Sequence, residues 1–286
     1  MRISDLFKKQ KRTLSFEIFP PKKESALANI DETLKVLSEL SPDFISVTFG
    51  AGGSANCNRT IETAKKIKHV YGVEPVVHLT CLHYTKSEID SFAQEMAKEG
   101  IENILALRGD ATPDVPQKDD FKHASDLTSY LKDKYDFCVL GACYPETHPE
   151  SANIVSDIKG LKTKVSAGAE GLLSQLFFDN EAFFKFRDEC RIADIDVPII
   201  PGVMPVINAA QIRKMVSVCN ATFPERFQKI INRYENDKEA LFDAGMSYAL
   251  SQIIDLLVND IEGIHLYTMN NPRVAKRICE GIKNIV

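Results

Sequence analysis

Short apolar segments with strand character alternate with amphipathic helical segments along the chain. The helical stretch Ala26–Leu40, for example, repeats apolar residues at the spacing of one helix face. Strict alternation of strand and helix is typical of a parallel sheet, and eight such units without a reversal predict a closed α/β barrel, the (β/α)8 TIM barrel. An open, doubly wound sheet is the alternative. The predicted strands are 13–19, 44–50, 75–81, 103–109, 138–143, 171–178, 197–203 and 263–268.

The length of 286 residues suits one such barrel, and no linker or change of composition divides the chain. We therefore predict a single domain over residues 1–286, with a short helical lead-in over about residues 1–12. The pattern Thr85-x-x-Glu88 predicts a capping box that opens a helix, and Gly100 is placed to end it. Pro272 marks the start of the last helix.

Composition argues against several classes of protein. The net charge is −5 and no basic stripe is visible, so no nucleic-acid partner is expected. We see no apolar run of membrane-spanning length and no signal peptide, so no membrane association is expected. The seven cysteines are scattered without a C-x-x-C pair, which indicates neither a disulfide framework nor a metal site. A reducing, cytoplasmic location is the expectation.

Nearly every predicted strand carries a polar residue at or near its end. Strands buried on both faces of a parallel sheet should be almost continuously apolar, because an unpaired buried polar group costs several kcal/mol. The carboxyl ends of barrel strands form the active site in proteins of this fold. The recurrence therefore predicts one site built from many strands, from Glu17, Thr48, His78, Asp110, Tyr144, Gln175 and Tyr267.

Three of these residues carry a chemical hypothesis and an alternative. Glu17 lies in an apolar run, and burial raises the pKa of a carboxyl, which suits a general acid; the alternative is a structural pair with Arg or Lys. Asp110 follows Gly109, so it is either a functional carboxylate or a helix cap or turn residue. His78 is either part of the site or a hydrogen-bonded core histidine.

Two further regions are candidates for ligand binding. Tyr144–His148 is a loop stiffened by neighbouring prolines, and Asp157 and Lys164 share one helix face, where they would hold phosphate or ribose or form a solvated surface. Gly50–Ala55 matches the dinucleotide pattern G-x-G-x-x-A. The expected acid at the end of the next strand is missing, since Glu74 precedes that strand. We interpret these glycines as a tight loop beside the site.

Seven motifs in order carry a family resemblance. The chain resembles methylenetetrahydrofolate reductase of the bacterial type from about Thr13 to its end, and it resembles the catalytic barrel alone. The motifs are Ser15–Pro21, Ser46–Ala51, His78–Cys81, Ala106–Asp110, Tyr144–Glu146, Gln175–Asp179 and Pro201–Gly202.

The resemblance implies reduction of 5,10-methylenetetrahydrofolate to 5-methyltetrahydrofolate, with bound FAD as hydride relay and NADH or NADPH as donor. It implies that Glu17 is the general acid and that Asp110 is a catalytic carboxylate near the flavin and the folate. Gln175 and Tyr267 match substrate-side positions. Positions that match flavin contacts are Thr48, Phe49, Ala51, His78, Arg108, Gly109, Asp110, Ala124, Tyr144, His148, Asp157 and Lys164.

The sequence departs from the family pattern at two positions. Met215 stands where an aromatic that stacks on the ligand is expected, and Asn271 stands where an arginine near the folate is expected. Two alternatives remain, another flavin- or pterin-binding barrel enzyme and a non-catalytic flavin-binding module. A homo-oligomer is expected.

Overall fold

The structure, a computed structural model, describes residues 1–9, 12–21, 27–49, 54–111 and 115–285. Its strands are β1 (Thr13–Ile18), β2 (Phe44–Val47), β3 (Glu74–Thr80), β4 (Asn103–Leu107), β5 (Cys138–Cys143), β6 (Gly171–Ser174), β7 (Ile199–Ile200), β8 (Gly202–Val203) and β9 (Gly263–Tyr267). Its helices are α1 (Ile3–Lys8), α2 (Leu27–Glu39), α3 (Ser54–His69), α4 (Lys86–Lys98), α5 (Ala124–Lys134), α6 (Ile154–Ser166), α7 (Asn180–Ile192), α8 (Ala209–Cys219), α9 (Glu225–Tyr234), α10 (Lys238–Val258) and α11 (Pro272–Ile282).

These strands form one parallel sheet in the order β7-β6-β5-β4-β3-β2-β1-β9-β8. β7 pairs with β6, and β8 pairs with β9. Because only Pro201 separates β7 from β8, the two ends of the sheet meet and the barrel is nearly closed. The predicted (β/α)8 TIM barrel is confirmed.

The predicted seventh strand differs from the observed one. Instead of one strand over 197–203, the structure has β7 and β8 on either side of Pro201. Proline has no N–H for the ladder, although its carbonyl still accepts a hydrogen bond from the His265 N–H at 3.0 Å. Most other boundaries lie within a few residues of those predicted, and the Thr85 capping box is present.

Interior side chains of the barrel form two layers. Alternate residues of a strand face the same side, so Phe44 and Ser46, or Val76 and His78, both point inward at different heights. The amino-terminal layer is apolar, and Ile3 and Leu6 of α1 pack into it. The carboxyl-terminal layer is polar. Its composition places the chemistry of the molecule at that end.

The outer faces of the strands pack against the surrounding helices in the largest apolar cluster. Among the described residues α10 alone is long and apolar enough to cross a membrane by length and composition. In the structure α10 is a core helix, because Leu241, Met246 and Ile253 are among its buried residues and it contacts α7, α9 and α11.

Candidate active site

A cavity of about 910 Å³ opens at the carboxyl ends of the strands. Ligand pockets commonly measure roughly 300–1,000 Å³, so this one has room for a large ligand. All seven polar residues predicted from the strand ends line it: Glu17, Thr48, His78, Asp110, Tyr144, Gln175 and Tyr267. The structure therefore brings these seven residues together around one cavity.

Glu17 lies between two imidazole rings. Its Oε2 is 3.5 Å from Nε2 of His78 on β3 and 3.7 Å from Nε2 of His265 on β9. Within the described residues no Arg or Lys lies within ion-pairing distance of this carboxyl. The structural alternative, a Glu held by a cationic side chain, is therefore not what the structure places here.

His78 is buried, and burial lowers its pKa to about 4, with nearby Glu17 acting in the opposite direction. The ring is therefore neutral near pH 7. Its Nε2 is buried without a hydrogen-bond partner, although Glu17 is near. Such an unsatisfied atom in a cavity wall costs free energy in the unliganded protein. The alternative, a hydrogen-bonded core histidine, therefore does not describe the Nε2 atom of His78.

The stiff loop after β5 is fixed by α6. Both carboxylate oxygens of Asp157 accept hydrogen bonds from it, one from the His148 N–H at 2.8 Å and one from the Ser151 hydroxyl at 3.0 Å. Thr147 has φ of 71°, in the left-handed region that a β-branched residue rarely adopts. The ring of His148 packs edge-on against Tyr144, with the centroids 4.5 Å apart. Asp157 therefore shapes this wall of the cavity.

Lys164 points inward from α6 rather than out into solvent. Its ammonium donates to the Ala142 carbonyl, and its stem lies over Gly141, where an added Cβ would be 2.6 Å from Lys164 Cδ. Burial lowers the pKa of Lys164, while Cys143 and Asp157 oppose that shift. The residue retains some accessible surface, but its amino group lies at the cavity wall. It can offer positive charge to an anionic ligand.

The turn after β4 presents Arg108, Gly109 and Asp110. Arg108 forms a bidentate ion pair with Glu150, with Nη2 2.7 Å from Oε1, and this pairing raises the pKa of Arg108. Gly109 has φ of +87°, a conformation that favours glycine. Asp110 is exposed at the cavity, and its backbone carbonyl lies 2.9 Å from His83 Nε2.

Tyr144 and Gln175 contact each other across neighbouring strand ends. Burial raises the pKa of Tyr144 to about 12, while its hydrogen bond with the Gln175 side chain opposes the rise. The Gln175 amide oxygen accepts from the Leu176 N–H at 2.9 Å. Tyr267 donates from its hydroxyl to the Ser174 carbonyl at 2.7 Å, and burial raises its pKa well above the usual value. Both phenols therefore stay protonated near pH 7.

The remaining predicted residues divide into three groups. Phe49, Ala124 and Met215 line the cavity. Asn271 does not line it; its side chain caps α11 by accepting from the Arg273 N–H at 3.1 Å. Ala51, with the rest of 50–53, lies outside the described residues.

His265 is the residue that sequence reasoning missed. It is fully buried on β9, two residues before Tyr267, and it lines the cavity beside Glu17. The signal for it was present, because residues two apart on a strand face the same side. The described residues contain no group of three or more His, Cys, Asp or Glu side chains arranged to hold a metal ion.

Comparison with known proteins agrees with the fold and the motifs. The family model "Methylenetetrahydrofolate reductase" matches residues 2–283. The 5,10-methylenetetrahydrofolate reductases of Salmonella typhimurium and Escherichia coli are each 37% identical over 269 residues, covering 94% of this chain and 90% of theirs. "Methylenetetrahydrofolate reductase (NADH) 1" of Arabidopsis thaliana is 34% identical over 96% of this chain and 49% of its own length.

Solved structures share the fold at low sequence identity. An uncharacterized protein from Clostridium thermocellum, described as binding two copies of 5-methyl-5,6,7,8-tetrahydrofolic acid, has a TM-score of 0.66 at 13% identity, covering 100% of this chain and 99% of that one. A tryptophan synthase chain from M. tuberculosis has a TM-score of 0.56 at 14% identity, covering 98% and 97%. At this identity the likeness concerns the barrel alone.

The barrel and the polar cavity at its carboxyl end define an enzyme of the (β/α)8 class. The family model covers nearly the whole chain, and the bacterial relatives match over most of their own length. The chain belongs to the methylenetetrahydrofolate reductase family, and it is an oxidoreductase that reduces methylenetetrahydrofolate.

Proposed function

We propose that this enzyme uses FAD as a bound hydride relay and NADH or NADPH as the donor in converting 5,10-methylenetetrahydrofolate to 5-methyltetrahydrofolate. The observation that carries the proposal is the position of Glu17, a carboxyl at the cavity wall between His78 and His265 and away from any described cation. A carboxyl so placed is suited to give a proton to a substrate.

The cavity residues fit a large anionic cofactor. The unpaired Nε2 of His78 offers a hydrogen-bonding position, and the Lys164 ammonium has a backbone carbonyl as its hydrogen-bond partner. Arg108, Tyr144 and His148 line the same space. FAD would lie against these residues, and when bound it supplies an acceptor and donor of hydride between two substrates that take turns at one site.

Glu17 would serve the folate half of the reaction. Its proton goes to one nitrogen of the methylene bridge, the carbon–nitrogen bond breaks with its electron pair on that nitrogen, and the bridge carbon becomes an iminium that accepts hydride. The donor half needs no such acid, because the nicotinamide loses a hydride and no proton from Glu17 is consumed.

Asp110 and Gln175 would act on the substrates. A carboxylate at the cavity mouth favours a cationic iminium through its negative charge. Gln175 follows β6 and Tyr267 ends β9, and both line the cavity, where they would orient the folate or the nicotinamide. Cytoplasmic location and assembly into a homo-oligomer stay predictions.

The test is anaerobic stopped-flow spectroscopy of the purified protein. We expect a yellow protein whose apo form regains activity with FAD and not with FMN. NADH or NADPH should bleach the flavin, and methylenetetrahydrofolate should restore its colour in a second mix. Colourless protein that gains no activity with FAD would exclude the flavin. Bleaching without recovery by the folate would instead indicate another flavin barrel or a flavin-binding module.

A further inference from the structure

His265 occupies the centre of the polar layer, and the reaction described above gives it no task. The strand register sets Ser15 of β1 beside His265 of β9, and sets Glu17 beside both Tyr267 and Ser46. These side chains therefore share the interior of the barrel. Ser15, Ser46 and His265 are completely buried, so water does not compete for their hydrogen bonds.

The hydrogen bonds of Ser15 select one tautomer of His265. The Ser15 hydroxyl lies 3.2 Å from the Ile264 carbonyl and 2.8 Å from His265 Nδ1. A serine hydroxyl has one hydrogen, and a carbonyl can only accept. Both contacts are hydrogen bonds at once only when the hydroxyl donates to Ile264 and its oxygen accepts from an Nδ1–H of His265. In the neutral ring Nε2 then carries a lone pair.

That lone pair faces two groups. Nε2 lies 3.3 Å from the Ser46 hydroxyl and 3.7 Å from Glu17 Oε2. The ring cannot easily turn away, because Phe44 stacks on it at 5.9 Å between centroids and Tyr267 packs edge-on at 5.4 Å. At 3.7 Å the Glu17 oxygen is not hydrogen-bonded to Nε2, and a carboxyl that closes this distance can bond to the lone pair only when it carries its proton.

We propose that His265 is a positioning residue, held by Ser15 as the Nδ1–H tautomer, which orients Glu17 in its proton-carrying form toward the substrate. This inference rests on the proposed function, since it assigns Glu17 as the proton donor of the folate half-reaction. His265 itself touches neither substrate nor cofactor in the proposal. It acts through the carboxyl, so it should matter to one half-reaction and not to the other.

The first experiment reads the tautomer directly. Nitrogen-15 NMR of protein labelled at its six histidines distinguishes Nδ1–H, Nε2–H and imidazolium rings, and the His265→Phe variant assigns the signal. We expect the Nδ1–H tautomer in the wild type near pH 7, and a mixture with Nε2–H in Ser15→Ala, where the acceptor for Nδ1–H is gone. A wild-type ring that is Nε2–H or imidazolium overturns the proposal.

The second experiment measures the two half-reactions of Ser15→Ala. We expect oxidation of the reduced flavin by methylenetetrahydrofolate to slow about tenfold, a part of the 10²–10⁴-fold typical of general acid catalysis. Flavin reduction by NADH or NADPH should stay within about threefold of wild type. His265→Phe keeps an aromatic ring between Phe44 and Tyr267 and should show the same split. Ser4→Ala, which removes a buried serine hydroxyl from α1 at the other end of the barrel, is the control and should change neither rate.

The outcomes separate this proposal from the proposed function. If wild-type flavin is not oxidised by methylenetetrahydrofolate, the proposed function fails, and the NMR arm still decides the tautomer. If the wild type reacts but both half-reactions of Ser15→Ala fall equally, or neither falls, His265 is a packing residue and the positioning role is wrong.

Discussion

The two ends of the same barrel strands differ in what their interior side chains do. At the amino end Phe44, Val76 and Cys138 belong to an apolar cluster completed by Ile3 and Leu6 of α1. Two positions further along β2 and β3, Ser46 and His78 replace apolar groups, and His78 lines the cavity. The first end gains stability from burial. The second keeps Nε2 of His78 buried without a hydrogen-bond partner at the cavity, which costs stability and leaves the atom available to a ligand.

Stability and chemistry therefore depend on residues at different heights within one barrel. A substitution at the amino end should change the free energy of unfolding and leave the chemistry of the folded enzyme intact. A substitution at the carboxyl end should change the chemistry of the folded enzyme and leave the free energy of unfolding nearly unchanged. Each of the following variants tests that division.

The largest effect on stability is expected at Ile3, which is completely buried. Ile3→Ala should lower the free energy of unfolding by about 2–4 kcal/mol, because it removes buried methyl groups and leaves a cavity. Denaturant titration measures the loss, and Lys8→Ala, at an exposed position of the same helix, should change it by less than about 0.5 kcal/mol. Slower folate reduction by the folded Ile3→Ala protein would break the division.

At the carboxyl end, Lys164→Met should lower the affinity for FAD about tenfold to a hundredfold, the size of a lost charge-assisted contact. Stability of the cofactor-free protein should change little, since Lys164 forms no ion pair within 4 Å among the described residues. Fluorescence titration of apo protein with FAD measures the affinity. Lys162→Met is the matched control on α6, because Lys162 bonds instead to the Ala193 carbonyl and Asp194. Equal losses in both variants would contradict a specific role for Lys164.

The smallest effect concerns the pH dependence of stability through His78. Burial lowers its pKa from 6.5 to about 4, so the unfolded chain binds more protons between these values. Stability is therefore fully present above pH 6.5 and is lost as the pH falls toward 4. At pH 5 the loss due to His78 should be at most about 2 kcal/mol. His78→Gln should lack this part of the acid sensitivity in urea titrations at pH 8 and pH 5. The same pH sensitivity in both proteins would mean that protonation of His78 does not contribute to the loss of stability in acid.

Much of this division could be predicted from the sequence. Regular alternation identified the barrel, and polar residues at strand ends identified Glu17, His78 and Tyr267, because buried strands tolerate polar groups only for a reason. A closed barrel implies that the last strand pairs with the first, but the sequence did not reveal the register, and without it Ser15 and His265 have no visible relation. Lys164 can point inward because Gly141 of β5 has no side chain in its path, and helical spacing alone does not show this. Pro201 is evident in the sequence, but its division of the strand depends on the backbone hydrogen bonds with the neighbouring strands on both sides.

We propose that the Glu17 carboxyl serves one half-reaction only, and the Glu17→Gln variant tests this role. The amide is nearly the same size, so folding and FAD content should survive, but it cannot give a proton as a carboxylic acid does. In two separate anaerobic mixes, flavin reduction by NADH or NADPH should stay within about tenfold of wild type. Oxidation by methylenetetrahydrofolate should fall by about 10²–10⁴-fold. Equal loss in both mixes would mean that Glu17 only shapes the shared site, and no loss in either would place the proton donor elsewhere.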